Sequence, residues 1–221
     1  MVAAVNPKTL DHVAYWVADR EPIVDLATSK LGMHVIDRQD AFTLIGSDAR
    51  RGKLTLFDAK GPRERGAIKH VALRVTDLPQ DGQTEFEAGE GLRIKLVEAP
   101  TDVDYDLDHV ALYTRDPAGT AEEWKTLGFN AADPSNAGDP RVEVGGAYVE
   151  FHDGDPGDSD NPLLNHVAVL VDSADDHTAE AEQRGIVDRV VDAANTKAVF
   201  VWGPDRVRIE YVEHKPEFSL T

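Results

Sequence analysis

The sequence predicts an α+β fold of repeated β-α-β-β-β modules, paired into two curled-sheet half-barrel domains. Three observations carry that prediction. The tripeptide His-Val-Ala occurs four times, at His12, His70, His109 and His166, each time heading an apolar, strand-like run. The runs that begin at His12, His109 and His166 lead into amphipathic stretches that close on a glycine. Short alternating segments separated by turns come next, and repetition at such a period marks duplicated modules.

The first module opens with "LDHVAYWVAD" and continues into "EPIVDLATSKLGM", which ends at Leu31-Gly32-Met33. A glycine just past the last periodic apolar residue is a helix C-terminal signal, so a helix follows the histidine strand. "AFTLIGS" and "GKLTLFDA" then alternate as strands. The second module, from "KHVALRVTD", is shortened: after "TEFEAGEG" only "LRIKLVEA" precedes the linker "PTDVDYD", so strands have been lost. The third repeats the first, with "AGTAEEWKTLGF" closing at Leu127-Gly128-Phe129 and strands in "RVEVGG" and "AYVEFHD". In the fourth, "NHVAVLVDS" leads to "DHTAEAEQRGI", with Gly185 at its end, and to "IVDRVVD", "KAVFVWG" and "RVRIEYVE". The boundary is placed in the linker at 99–106, giving an N-terminal module pair, 1–104, and a C-terminal pair, 105–221.

Composition narrows the function classes. Of 221 residues, 41% are apolar and 29% charged, as in a soluble globular protein. There is no cysteine, so disulfides and thiolate metal sites are excluded and any metal is held by His and carboxylates. A net charge of −18 repels phosphate backbones and anionic lipid, which argues against nucleic acid and membranes as partners. No basic head followed by an apolar core opens the chain, and "KAVFVW" is too short to span a bilayer, so the expected location is cytoplasmic.

Strand alternation then sorts side chains by face. In "AYVEFHD", Val149 and Phe151 point one way and Tyr148, Glu150 and His152 the other. In "RVRIEYVE", Val207, Ile209 and Tyr211 share the apolar face and leave Arg208 and Glu210 opposite. His109 and His166 lie opposite Val110, Leu112, Val167 and Val169. Curling the C-terminal sheet is expected to gather His109, Glu150, His166 and Glu210 in one cup. Ionised carboxylates in a partly buried cup need compensation, and one divalent cation held by His and Glu supplies it. Leu56, in "GKLTLFDA", is expected at the position that Glu150 holds in "AYVEFHDG", and matching "LRIKLVE" to "VRIEYVE" puts Lys95 at the Glu210 position. On that alignment the N-terminal pair holds no metal, and His12 and His70 are structural.

The "HVA" strands, the two "LG[MF]" helix ends and the final "VWGPDRVRIEYVE" resemble the vicinal oxygen chelate superfamily: glyoxalases, extradiol ring-cleaving dioxygenases, epimerases and antibiotic-resistance proteins. The resemblance covers nearly the whole chain, and four modules in two halves look most like the type I extradiol dioxygenases. It implies Fe(II), or else Mn(II), on His109, His166 and Glu210, with open positions for catechol oxygens and O₂. It also implies an acid/base histidine before the module-four ligand, a role that falls to His152. Phe200 stands at about the position of that family's tyrosine. With Glu150 as a fourth ligand, the set resembles instead the glyoxalase and epimerase pattern. There a Lewis-acidic Zn, Ni, Co or Mn ion stabilises an enediolate in a lyase or isomerase reaction. A third reading is a non-catalytic, resistance-type protein whose cup binds a small molecule. Arg208, Phe200, Trp202 and Tyr148 are the candidate substrate-binding residues, and homo-oligomer formation is left open. The acidic "DGDPGDSDN" at 153–161 lacks the Glu and the spacing of an EF-hand loop and is expected to be a solvated turn.

Overall fold

Period-two alternation and helix caps account for the elements of the computed structural model, which describes residues 7–47, 52–216 and 218. The first module comprises β1 (Thr9–Val17), α1 (Glu21–Ser29), β2 (His34–Arg38), β3 (Phe42–Gly46) and β4 (Lys53–Asp58). The second consists only of β5 (Ile68–Val75), β6 (Glu85–Gly89) and β7 (Leu92–Glu98). It has lost its helix as well as a strand. The residues where a helix is expected carry Pro79 and Gly82, which favour turns.

The third module is complete: β8 (Asp106–Thr114), α2 (Pro117–Lys125), β9 (Asn130–Ala131), β10 (Arg141–Val144) and β11 (Ala147–Asp153). So is the fourth: β12 (Leu164–Leu170), α3 (Ala174–Arg184), β13 (Val187–Asp192), β14 (Thr196–Trp202) and β15 (Arg208–His214). Asp116 caps α2 by accepting from Gly119 N–H, with Pro117 at the first helical position. Ser173 caps α3 in the same way, and Gly185 ends it at φ 67°, a left-handed conformation that glycine adopts without strain.

The strands form two mixed, curled sheets. One has eight strands in the order β13-β14-β15-β12-β1-β4-β3-β2, the other seven in the order β6-β7-β5-β8-β11-β10-β9. Their composition corrects the expected pairing. Module one joins module four through antiparallel β1 and β12, and module two joins module three through antiparallel β5 and β8. A boundary at 104 divides the sequence, but neither 1–104 nor 105–221 supplies a complete sheet. The pairing follows from the histidine strands themselves. Each is apolar enough to take a central place, and each half-barrel needs two of them side by side.

One buried apolar cluster runs through both sheets and the helices, from Leu10, Val13 and Tyr15 to Trp124, Phe151 and Ile209. A smaller one, of Ala168, Ala198, Phe200 and Val212, lies on the opposite face of the eight-stranded sheet. No described helix is long and apolar enough to cross a membrane.

Candidate metal centre

The two sheets set up two similar cups with opposite electrostatics. In the eight-stranded sheet His12 on β1 meets His166 on β12, Nε2 to Nε2 at 3.0 Å with the rings edge-on. In the seven-stranded sheet His70 on β5 meets His109 on β8, Nε2 to Nε2 at 2.9 Å and again edge-on. Backbone register identifies the next matched position in each module. Two residues after each histidine comes an alanine. Ala168 pairs with Glu210 and Ala111 with Glu150, whereas Ala14 pairs with Thr55 and Ala72 with Lys95. Thr55, not Leu56, therefore occupies the carboxylate position of module one. Leu56 is one residue out of phase and fully buried in the core, since a single-residue slip exchanges faces.

Only the first cup brings three metal-binding groups together among the described residues: His12, His166 and Glu210. Glu210 Oε2 lies 2.9 Å from His166 Nε2 and 3.2 Å from His12 Nε2. Donors about 2.1 Å from a common ion stand about 3 Å apart in cis positions, so the spacing fits a metal. The outer hydrogen bonds fix which nitrogens face inward. His12 Nδ1 donates to Asp11 Oδ1 at 2.6 Å, and His166 Nδ1 to Asn165 Oδ1 at 3.1 Å. Arg208 Nη1 also donates to that Asn165 oxygen, at 3.4 Å. In their neutral forms both imidazoles then present Nε2 as an acceptor, and the third group is a carboxylate. Three converging acceptors require a positive charge between them.

The site's ionisation shows the same demand for positive charge, met by a proton on His12 that a cation would displace. Burial alone lowers His12, but its hydrogen bonds to Asp11 and Glu210, and their charges, outweigh that and raise it to about 9. Burial raises the Glu210 carboxyl, but His166 and His12 hold it well below the usual carboxylate range. Asp11 is buried and also depressed, because Lys53, His12 and His214 all face it. Lys53 Nζ and His214 Nε2 each reach Asp11 at 3.0 Å. Asp11→Ala is accordingly expected to weaken metal binding by roughly 10–100-fold, the usual effect of removing such a supporting partner. A chelator-competition titration measures this, and an unchanged affinity would contradict the role given to Asp11.

The second cup shows no such convergence among the described residues. His109 Nδ1 donates to Asp108 Oδ1 at 2.7 Å, so its Nε2 accepts, and one proton on His70 Nε2 closes the pair. His70 is held far below its ordinary value, by burial first and then by the charges of His109, Lys95 and Lys69. Glu150 comes no nearer than 3.7 Å to His109 and His152 and 3.8 Å to Arg141. The expected set of His109, Glu150, His166 and Glu210 is thus split: His109 and Glu150 belong to the seven-stranded sheet, His166 and Glu210 to the eight-stranded one.

Two other expected site residues also stand on the seven-stranded sheet. His152 lies between Lys69 Nζ and Asp139 Oδ1, each 3.0 Å from its Nδ1, and Tyr148 stacks under the Arg141 guanidinium. Arg208 and Trp202 are on the face of Glu210 but do not line its cavity. They stack on each other, and Arg208 pairs with Asp188 at 3.1 Å. Arg208 acts instead by steadying Asn165. Phe200 does line the cavity, edge-on to the His166 ring at 5.1 Å.

That cavity, about 550 Å³, opens over the three converging groups and is walled by Phe42, Phe57 and Phe200. Its size suits a small organic molecule. His12, Asp11 and His214 were missed as site residues, although a signal for His12 existed. The residues preceding the four histidines are Asp11, Lys69, Asp108 and Asn165. Only the histidines at 12, 109 and 166 follow a side chain able to accept from Nδ1.

No protein-family model and no curated protein sequence matches the chain. Solved structures do match. A protein of Bacillus subtilis subsp. subtilis str. 168, provisionally named a dioxygenase, superposes with a TM-score of 0.73 at 15% identity, over 96% of this chain and 87% of its own. A mutant of glyoxalase I from Zea mays gives 0.73 at 15% identity, over 93% and 92%. The cppA protein of Streptococcus pneumoniae TIGR4 gives 0.60 at 13%, over 95% and 99%. With two curled sheets, paired histidine strands and these structural likenesses, the chain has the vicinal oxygen chelate fold.

Proposed function

We propose that the chain is a divalent-metal enzyme of the extradiol ring-cleaving dioxygenase type, acting on a catecholic small molecule with Fe(II) on His12, His166 and Glu210. The observation that carries this reading is the ligand count. Two histidines and one carboxylate converge, and the fourth matched position holds Thr55. Such a set leaves adjacent coordination positions open, the arrangement used by Fe(II) oxygenases. When bound, Fe(II) supplies the coordination of the diol and of O₂. The chain's own residues do the rest. Phe57 and Phe200 flank the His166 ring and offer flat apolar walls to an aromatic body. His214 lines the same cavity without joining the ligand set, anchored on Asp11, and is the acid/base in place of His152.

The enediolate reading with two histidines and two glutamates loses support, because Glu150 stands on the other sheet. The test is oxygen consumption by protein loaded anaerobically with Fe(II) and offered a catechol panel, with a yellow ring-opened product expected. Metal-dependent isomerisation of a hydroxy-carbonyl or thioester, without oxygen uptake, would replace the dioxygenase by the lyase or isomerase reading. Tight binding of an aromatic with no turnover would make the chain a binding protein.

A further inference from the structure

The cavity over the metal centre has a chelating floor, aromatic walls and one cation at its mouth. Arg189 projects from edge strand β13, with its guanidinium carbon 4.3 Å from the centroid of the Phe200 ring. It is exposed, and no carboxylate of the described residues pairs with it. Arginines nearby are committed: Arg208 to Asp188 and Trp202, and Arg184 to Glu180 and the Thr126 carbonyl. The cavity's other charges are also accounted for. Lys53 and His214 face Asp11, Glu210 belongs to the metal centre, and Asp37, on strand β2, accepts from Gln39.

Arg189 pairs with Phe200 and Phe200 with Glu210 across adjacent strands, so two strand spacings, about 10 Å, separate the backbones of floor and mouth, room for one aromatic ring and a carboxylate. Stacking on Phe200 holds the fork flat, and a flat fork presents two parallel N–H donors to a carboxylate. A chain of net charge −18 repels anionic ligands at a distance, so an acid that enters needs a local cation to hold it.

We propose that Arg189 selects a one-ring aromatic ligand that carries a carboxylate at the end remote from its two adjacent metal-binding oxygens. The proposal rests on the assignment of His12, His166 and Glu210 as the chelating floor. The test is calorimetric titration of Zn(II)-loaded protein, which cannot turn over by redox chemistry, with catechol and with a catechol whose carboxylate lies para to one hydroxyl.

The native protein is expected to bind the acid about tenfold more tightly at low salt, the effect of one partly exposed charge-assisted pair. Arg189→Gln is expected to erase that preference while leaving catechol binding and metal content unchanged. Arg189→Lys, which keeps the charge and loses the fork, should restore only part of it. Arg189 sits exposed on an edge strand, and an unaltered thermal transition in the variants checks that the fold is kept. A preference that survives Arg189→Gln, or a native protein that binds neither compound, overturns the proposal. A preference that holds while the Fe(II) form consumes no oxygen with either compound overturns the dioxygenase reading and supports the Arg189 assignment.

Discussion

His12→Ala is expected to reduce metal content from near one equivalent per chain to near zero, while His109→Ala leaves it unchanged. The two histidines sit in identical segments, "LDHVA", and each donates from Nδ1 to the preceding aspartate. What separates them is the company of Nε2. Around His12 it is a second imidazole and a carboxylate at 3.0–3.2 Å, a set that holds a positive charge, as a proton on His12 or as a cation in its place. Around His109 it is an imidazole that supplies a proton, with Glu150 at 3.7 Å and the cations Lys69, Lys95 and Arg141 around the cup. The same contrast applies to the acids, so Glu210→Ala should lose the metal and Glu150→Ala keep it. Elemental analysis of protein purified without chelator measures all four variants. Two equivalents in the native protein, or loss of metal on changing His109, would contradict the assignment of one site to the eight-stranded sheet.

His214→Gln is expected to slow oxygen consumption with the best catechol by roughly 10²–10⁴-fold, the usual contribution of a positioned acid or base, at full metal content. His214 lies on β15 four residues after Glu210, so strand alternation turns both into the same cavity. Asp11 holds its Nε2 at 3.0 Å without drawing it into the ligand set. Glutamine keeps a hydrogen bond to Asp11 but cannot move a proton, which separates chemistry from positioning. His152→Ala provides the control and should leave the rate unchanged. A rate that falls with His152 and not with His214 would move the reaction to the other cup.

The module pattern was legible because alternation and helix ends are local. Each apolar face named from the sequence, Val110 and Leu112 or Ile209 and Tyr211, is buried as expected. The partners of each module were not legible. Sequence order makes module three the neighbour of module four, yet strand pairing depends on which apolar edges meet in space, and β12 meets β1. That single fact turned His12 from an expected structural residue into a candidate ligand and separated His109 and Glu150 from His166 and Glu210. The Leu56 alignment failed for a different reason. Set residue against residue, "GKLTLFDA" and "AYVEFHDG" already place Thr55 opposite Glu150, and the pairing of Ala14 with Thr55 agrees; Leu56 lies one residue further along β4. Arg189 was missed because an exposed arginine on an edge strand carries no periodic signal; only the ring beneath it marks its place.

The order of the strands also governs when the centre can exist. Among the described residues His12 lies on the first strand and Glu210 on the last, both flanking β12 in one sheet although 198 positions apart in sequence. A chain emerging from the ribosome exposes His12 long before its partners have been made. Until β12 and β15 are complete, β1 lacks its antiparallel neighbour and offers an unpaired edge to other chains. Such distant pairings are slow to form, because loop closure precedes any contact that rewards it. An ion held by His12, His166 and Glu210 would accordingly bind and stabilise a sheet that is already closed, and would not template early assembly.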